Sequence, residues 1–278
     1  MDKLEKLATS IQGELYYDNF WKILYATDAS DYREIPRGVV YPKTIDDIKT
    51  IIDFARTGNI PIIPRGGGTS LAGQTVGNGL VVDISRYFTK ILEINEQEHW
   101  ACVEPGVIPD VLNQQLRKHN LFWGPETSTS NRNTLAGMLG NNSCGSHFPL
   151  YKNTRANILE VIGFLSDGSQ IHTKALSNAE IDEKIMLNNR EGKIYSLLIN
   201  KLKNTDFQNE IYCQFPKPEI ERRNSGYAID SLLDSDYFLR NGKQFNLSKL
   251  LAGSEGTLLF TTEMKINLVE PPPSNVAV

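Results

Sequence analysis

Two glycine-rich stretches hold most of the residues in this chain that could do chemistry. The run Arg65-Gly66-Gly67-Gly68-Thr69-Ser70-Leu71-Ala72-Gly73-Gln74 follows directly on an apolar, strand-like Pro61-Ile62-Ile63. Successive glycines, lacking a Cβ, can turn their N–H groups toward one point, and Arg65, Thr69 and Ser70 add side-chain donors. The natural occupant is a phosphate or pyrophosphate. Two other phosphate loops are excluded. Gly68 to Thr75 nearly spells G-x-x-x-x-G-K-[ST], but Gln74 stands where the lysine that stabilises γ-phosphate chemistry should be. A dinucleotide G-x-G-x-x-G fails because Leu71 occupies the place of its third glycine.

The second stretch runs from Pro125-Glu126-Thr127-Ser128-Thr129-Ser130 through Asn133-Thr134-Leu135-Ala136-Gly137-Met138-Leu139-Gly140-Asn141-Asn142-Ser143-Cys144-Gly145. Small residues at 137, 140, 143 and 145 permit close backbone approach, and the hydroxyls and amides offer both donors and acceptors to phosphate, polyol and ring-edge groups. Cys144 is expected to be a small buried thiol. His147 is the one histidine beside a motif, and with no carboxylate partner visible in the sequence it is expected to be structural or on the surface.

The elements that must position these loops follow from periodicity. Leu4, Leu7 and Ile11, then an aromatic run at Tyr16, Tyr17, Phe20 and Trp21, predict a docking helix and lead-in over residues 1–34. Gly38 to Pro42 reads as a strand. Thr44 with Asp47 three residues on forms a carboxylate version of the capping box, opening a helix whose apolar face is Ile45, Ile48, Ile51, Ile52 and Ala55 and whose end is Gly58-Asn59. Strands follow at Pro61 to Ile63 and Leu80 to Ile84. Residues 90–104 predict a hairpin and 109–119 a helix; Ile158 to Phe164 and Gln170 to Thr173 pair around an Asp167-Gly168 turn. Two polar helices are expected over 177–203, irregular chain over 205–245, and a closing strand over Thr257 to Leu268. Residues 271–278 read as a proline-rich linker leading to a further domain.

Composition removes other classes. With 29 Lys+Arg against 33 Asp+Glu the net charge is −4, so there is no basic field to hold a nucleic-acid backbone. Mean hydropathy is −0.33, and no apolar run approaches the ~18 residues of a membrane span. The start MDKLEKLATS does not read as a signal peptide. Three widely spaced cysteines make neither a disulfide framework nor a zinc or iron-sulfur site, and no metal ligand set is expected. A reducing cytoplasm, with the periphery of the inner membrane as a second address, fits best. The 21 glycines are near-average in number, yet six of them fall between 66 and 79.

At this point the chain resembles the FAD-linked oxidases whose flavin domain is of the vanillyl-alcohol oxidase / p-cresol methylhydroxylase (PCMH) type. The resemblance lies in Pro64 to Ser70, in Thr134 to Gly137 running into Asn142 to Gly145, in Ile158 to Gly168, and in Gly253-Ser254-Glu255-Gly256-Thr257-Leu258, in the family's order over about 35–270. Gly140 to Gly145 and Arg222-Arg223-Asn224-Ser225-Gly226-Tyr227 look most like the D-lactate / D-2-hydroxyglutarate / glycolate dehydrogenase branch, above all its long bacterial members with an appended iron-sulfur region.

The resemblance implies an α+β fold of two α/β subdomains, residues 35–90 and 91–270, with FAD between them. It assigns the FAD pyrophosphate to Gly66, Gly67, Gly68, Thr69 and Ser70, with Arg65 and Gln74 among the cofactor-binding residues. Thr127, Ser128, Thr134, Gly137, Asn142 and Gly145 would line the path from the phosphates to the ring, with Pro125, Glu126, Asn141 and Ser143 also cofactor-binding; backbone near Val161 would meet the adenine, and Glu255, Gly256 and Thr257 would close the site. Gly67 and Gly68 stand where some relatives carry a covalently bonding histidine, so FAD is expected to be noncovalent. The implied chemistry is oxidation of a D-2-hydroxy acid, with Arg222 or Arg223 clamping the substrate carboxylate and Tyr227 touching flavin or substrate. Electrons would leave to a quinone or carrier. The family's catalytic histidines belong to a later substrate domain, so the chain alone is expected to be incomplete. Two competitors stand beside this reading: the cell-wall precursor reductase of the same fold, and a noncatalytic FAD-binding module that needs a partner.

Overall fold

The computed structural model describes residues 3–217, 219–223 and 226–272 and contains two principal sheets that meet along a seam. In the first, β1 (Glu14–Tyr16), β2 (Gly38–Tyr41), β3 (Ile62–Arg65) and β4 (Leu80–Asp83) run in the order β1-β2-β4-β3. β2, β4 and β3 are parallel, and β1 closes the edge antiparallel. Every residue of β2 and β4 is buried, as expected of parallel strands covered on both faces.

Three helices precede or join these strands: α1 (Lys3–Ser10), α2 (Asn19–Leu24) and α3 (Ile45–Gly58). Alternate strand residues face opposite sides. Val40, Leu80 and Val82 pack with Leu7 of α1 and with Ile48, Ile51 and Ile52 of α3, while Val39, Tyr41 and Val81 pack with Tyr16, Trp21 and Tyr25. The expected capping box on α3 is present, and Asn59 ends the helix in the left-handed region at φ 51°. The segment expected as a lead-in supplies the edge strand and the aromatic layer of this sheet.

The second sheet is wholly antiparallel. Its strands are β5 (Ile91–Asn95), β6 (Trp100–Val103), β7 (Ile158–Phe164), β8 (Gln170–Thr173) and, after the small pair β9 (Ala175–Leu176) and β10 (Phe245–Asn246), β11 (Phe260–Asn267). The order is β5-β6-β11-β7-β8, so the last strand threads between β6 and β7. Alternate residues Phe260, Thr262, Met264 and Ile266 of β11 are buried. Met264 and Ile266 face a core closed by α4 (Pro109–Leu116), α5 (Leu135–Asn141) and the helices Asn178–Met186 and Arg190–Leu202.

Two expectations fail locally. Residues 205–245 are not irregular: they hold helices Thr205–Gln214, Ile229–Leu233 and Asp236–Leu239. Asn204 caps the first of these, but only Ile211 along it is buried, too thin a stripe for the helical period to show. The closing strand begins at Phe260, because Gly253, Glu255 and Gly256 all take positive φ and fold the chain into turns. Asn224, Ser225 and the linker beyond Pro272 lie outside the described residues.

Phe164, ending β7, and Phe260, opening β11, share one buried cluster with Val40, Ile48, Leu80 and Val82 of the first sheet. Burying a side chain of this size stabilises by ~1.5–3 kcal/mol. The two sheets are therefore fixed to each other, with the glycine-rich loop leaving β3 at the carboxyl end of the parallel strands.

Candidate functional site

The loop after β3 and the segment leading into α5 are in direct contact. A Cβ on Gly66 would overlap the Thr134 hydroxyl, and one on Gly67 would overlap the Arg132 carbonyl oxygen and sit 3.1 Å from Asn133 Cα. Gly68 turns at φ +61°. Thr134 caps α5 by accepting from the Gly137 N–H at 3.2 Å. The N–H groups of Gly66 to Ser70 donate to nothing among the described residues.

Between these walls lies a cavity of about 800 Å³, lined by Gly66, Gly67, Gly68, Thr69, Ser70, Gln74, Thr127, Ser128, Thr134, Gly137, Asn141 and Ser143. A neck of about 80 Å³, bounded by Pro64, Gly66, Thr134, Gly137, Glu255 and Gly256, leads out of it. Pro64 and Gly256 in turn line a second cavity of about 780 Å³, whose walls are Ile60 to Ile62 and α3 residues on one side and Phe164 to Asp167 and Thr257 to Phe260 on the other. The three pockets share lining residues and together make the candidate cleft. Glu255 braces the neck: its N–H donates to the Gly140 carbonyl at 2.9 Å, and its carboxylate accepts from Gln74 at 3.3 Å.

Comparison with known proteins names a family and a cofactor. A model of the FAD binding domain family matches residues 36–174, half of the chain. The chain belongs to that family. It is 34% identical over 279 aligned residues to the D-2-hydroxyglutarate dehydrogenase of Pseudomonas putida, covering 99% of this chain and 27% of that protein. The D-2-hydroxyglutarate dehydrogenase of Haemophilus influenzae is 33% identical over 98% of this chain and 26% of its own length. The chain thus spans about a quarter of the curated relatives it matches. A solved alkyldihydroxyacetonephosphate synthase superposes with a TM-score of 0.66 at 18% identity, over 98% of this chain and 41% of that one. The expected α+β flavin-domain fold is the observed one.

The cleft fits FAD on its own chemistry. A diphosphate needs hydrogen-bond donors, which the loop N–H groups supply; a sugar alcohol needs both donors and acceptors. Asn133, on the cavity wall, is buried with its Oδ1 unpartnered while its Nδ2 donates to Thr127 at 2.7 Å. A buried orphan carbonyl is costly unless a partner donates to it, and this one belongs to a residue of the cavity wall. Asn133, Thr75, Thr129, Arg132 and Ala29 also line this wall and were not singled out from the sequence. Which of several neighbouring polar residues faces the cleft depends on loop geometry that has no period.

Other expected residues lie elsewhere. Arg65 turns back beneath its own loop, its guanidinium 4.8 Å from the Tyr25 ring centroid. Asn142 is fully buried in the left-handed region, accepting from the Arg155 N–H at 2.9 Å and donating to the Arg223 carbonyl at 3.4 Å, so it ties loops together behind the wall. Val161 sits inside β7 between β8 and β11 with no exposure. Pro125 and Glu126 line a separate cavity of about 500 Å³. Gly145 lets the chain pass close to Glu126, and this gives His147 the carboxylate partner that the sequence hid: its Nδ1 pairs closely with Glu126, which also accepts from Ser146 at 2.9 Å.

Arg223 pairs closely with Asp230 and lines an apolar pocket of about 620 Å³ that Tyr227 shares. The Tyr227 hydroxyl meets that of Thr257 at 2.7 Å, linking this pocket to the cleft, since Thr257 lines the second cavity. Arg222 lies 5.9 Å from the Phe148 ring centroid. Behind them, Arg155 donates to the carbonyls of Lys249 and Ala252 at 3.1 and 2.6 Å. Burial pulls the Arg155 guanidinium down to about 10, and neighbouring Arg223 adds to this. Lys249 returns bonds to the carbonyls of Arg155 and Ile158 at 2.9 and 2.7 Å; burial, then Arg155, lower its ammonium to about 8. No helix among the described residues is long and apolar enough to cross a membrane.

Proposed function

We propose that this chain is the flavin-holding part of a longer dehydrogenase that oxidises a D-2-hydroxy acid to the 2-oxo acid. The observation that carries the reading is the set of adjoining pockets, with loop N–H groups that find no acceptor among the described residues, in a chain whose matched relatives include D-2-hydroxyglutarate dehydrogenases. In this reading Gly66 to Ser70 hold the diphosphate through backbone N–H groups, with Gln74 bracing Glu255 at the neck. Thr127, Ser128, Asn133, Asn141 and Ser143 serve the sugar alcohol and ring edge in the larger cavity, and the adenosine end occupies the cavity between α3 and the β7–β8 turn. Bound there noncovalently, FAD supplies an acceptor for the hydride that leaves the hydroxyl-bearing carbon.

Tyr227 and the arginines face the substrate side. Arg223 is already paired with Asp230, so a substrate carboxylate must displace that partner or be held by Arg222 and by residues of the rest of the protein. The base, the iron-sulfur region and the outlet to a quinone or carrier are assigned to that remainder. A noncatalytic module is the second reading, favoured by the same Arg223–Asp230 pairing.

Purified protein should be yellow and should release its flavin on acid precipitation. Anaerobic D-2-hydroxyglutarate, D-lactate and glycolate should bleach the flavin in the full-length protein and scarcely in the 278-residue chain. A colourless protein that cannot be reconstituted with FAD refutes the reading; a full-length flavoprotein that none of the three acids bleaches leaves the module.

A further inference from the structure

The family match begins at residue 36, yet the segment just before it touches the glycine-rich loop at four places. After α2 the chain doubles back in a short hairpin closed by the Thr27–Arg33 bridge and by the Glu34 N–H on the Ala26 carbonyl at 2.9 Å. From its tip the Ala29 N–H donates to the Gly68 carbonyl at 3.1 Å, on the near arm of the loop. On the far arm, Asp28 Oδ2 accepts from the Thr75 hydroxyl at 3.1 Å and from its N–H at 3.4 Å. The other carboxylate oxygen is held by the Ser30 N–H at 2.8 Å and hydroxyl at 2.5 Å, which fixes the direction of Asp28. Tyr32 lies against Gly73, where a Cβ would come within 2.8 Å of the ring, and Tyr25 lies under the Arg65 guanidinium.

Both arms of the loop are thus tied to one external strap, while the N–H groups of Gly66 to Ser70 donate to nothing among the described residues. We infer that residues 25–32 are part of the cofactor site: Asp28 and Ala29 are positioning residues that hold the loop open in the shape its diphosphate requires. This rests on the reading that FAD lies in the cleft. A ten-residue glycine-rich loop has many conformations, and fixing it before binding removes an entropy cost that the ligand would otherwise meet, so loosening the strap should appear as weaker FAD binding.

The test is a double-mutant cycle on the apoprotein of the 278-residue chain, titrated with FAD and read by flavin fluorescence quenching, with the thermal midpoint of each apoprotein alongside. Asp28→Ala removes the carboxylate and Thr75→Val the hydroxyl that donates to it, and each should raise the FAD Kd about tenfold or more. The double variant should be no worse than the worse single variant, and Thr75→Ser should restore wild-type affinity. Thr75→Val is nearly isosteric and leaves the apoprotein midpoint almost unchanged. A Thr75→Val protein that binds FAD as tightly as wild type, or a double variant whose loss equals the product of the singles, overturns the inference. A wild-type chain that binds no FAD at all refutes the parent reading instead.

Discussion

Replacing Gly67 by alanine tests the geometry of the cleft with one methyl group. The added Cβ would overlap the Arg132 carbonyl oxygen and lie 3.1 Å from Asn133 Cα, both backbone atoms that no rotamer change can move. Restoring ordinary contact requires the loop to retreat from the Asn133 segment by about 1 Å, given the ~3.5–4.0 Å at which carbon atoms pack. Hydrogen bonds from the loop to a diphosphate held between these walls would stretch from about 2.9 Å to about 3.9 Å and cease to be bonds. Bonds to charged groups contribute ~1.5–3 kcal/mol each, so losing two costs about 3–6 kcal/mol, a rise in FAD Kd of about two to four decades. Gly77→Ala is the matched control: its Cβ meets only the Ile63 side chain, the terminal methyl at 3.0 Å and Cγ1 at 3.7 Å, a flexible end, and Kd should stay within about threefold of wild type. Titration of FAD into both apoproteins, followed by fluorescence quenching, reads the difference. Should Gly67→Ala bind FAD within that same threefold, the diphosphate does not lie against this loop.

Three further outcomes follow from other parts of the site. Asn133→Ala removes an orphaned buried oxygen together with the bond to Thr127; the apoprotein midpoint should barely move while FAD Kd rises about tenfold, and equal loss of both would mark Asn133 as merely structural. Asn142→Ala strands the buried Arg155 N–H and puts a Cβ-bearing residue without a side-chain bond in the left-handed region, so denaturant unfolding should show a loss of about 2–4 kcal/mol; a loss under about 0.5 kcal/mol would contradict this account. Glu160 is pushed up by burial but held below its ordinary value by the His172 and Lys265 contacts at 2.6 and 3.2 Å. Its contribution is therefore present above the unfolded carboxylate range and lost as pH falls through the lowered folded value. Glu160→Gln should flatten the acid limb of the stability profile by about 0.5 kcal/mol, and an unchanged limb would show that solvent screens the pair completely.

Legibility in the sequence followed the range of the interaction responsible. α3 was readable because its cap, its stripe and its left-handed stop are all local: Thr44, Asp47 and Asn59 do in the structure what their spacing implies. The β7–β8 hairpin was readable for the same reason, through Gly168 at φ +84°. What escaped were contacts made across the fold. His147 has a carboxylate partner 21 residues upstream, brought near by the close passage of Gly145. Arg65, beside the glycines, looked like a donor to the ligand, but the Tyr25 ring 40 positions earlier in the chain draws its guanidinium beneath the loop.

The same contrast bears on how such a site can work. A glycine-rich loop free enough to wrap a diphosphate is also free enough not to, and its own sequence cannot supply the restraint without filling the space the ligand needs. The restraint therefore has to come from outside. Here it comes from three directions: the Asn133-Thr134 corner on one side, Glu255 at the neck, and the hairpin around Asp28 behind. Each contacts the loop through a carbonyl, a side-chain hydroxyl or amide, the Thr75 N–H or a glycine Cα, and none uses the N–H groups of Gly66 to Ser70. Among the described residues those donors find no acceptor, and a cluster of unpaired N–H groups is the electrostatic condition for holding an anion without a lysine.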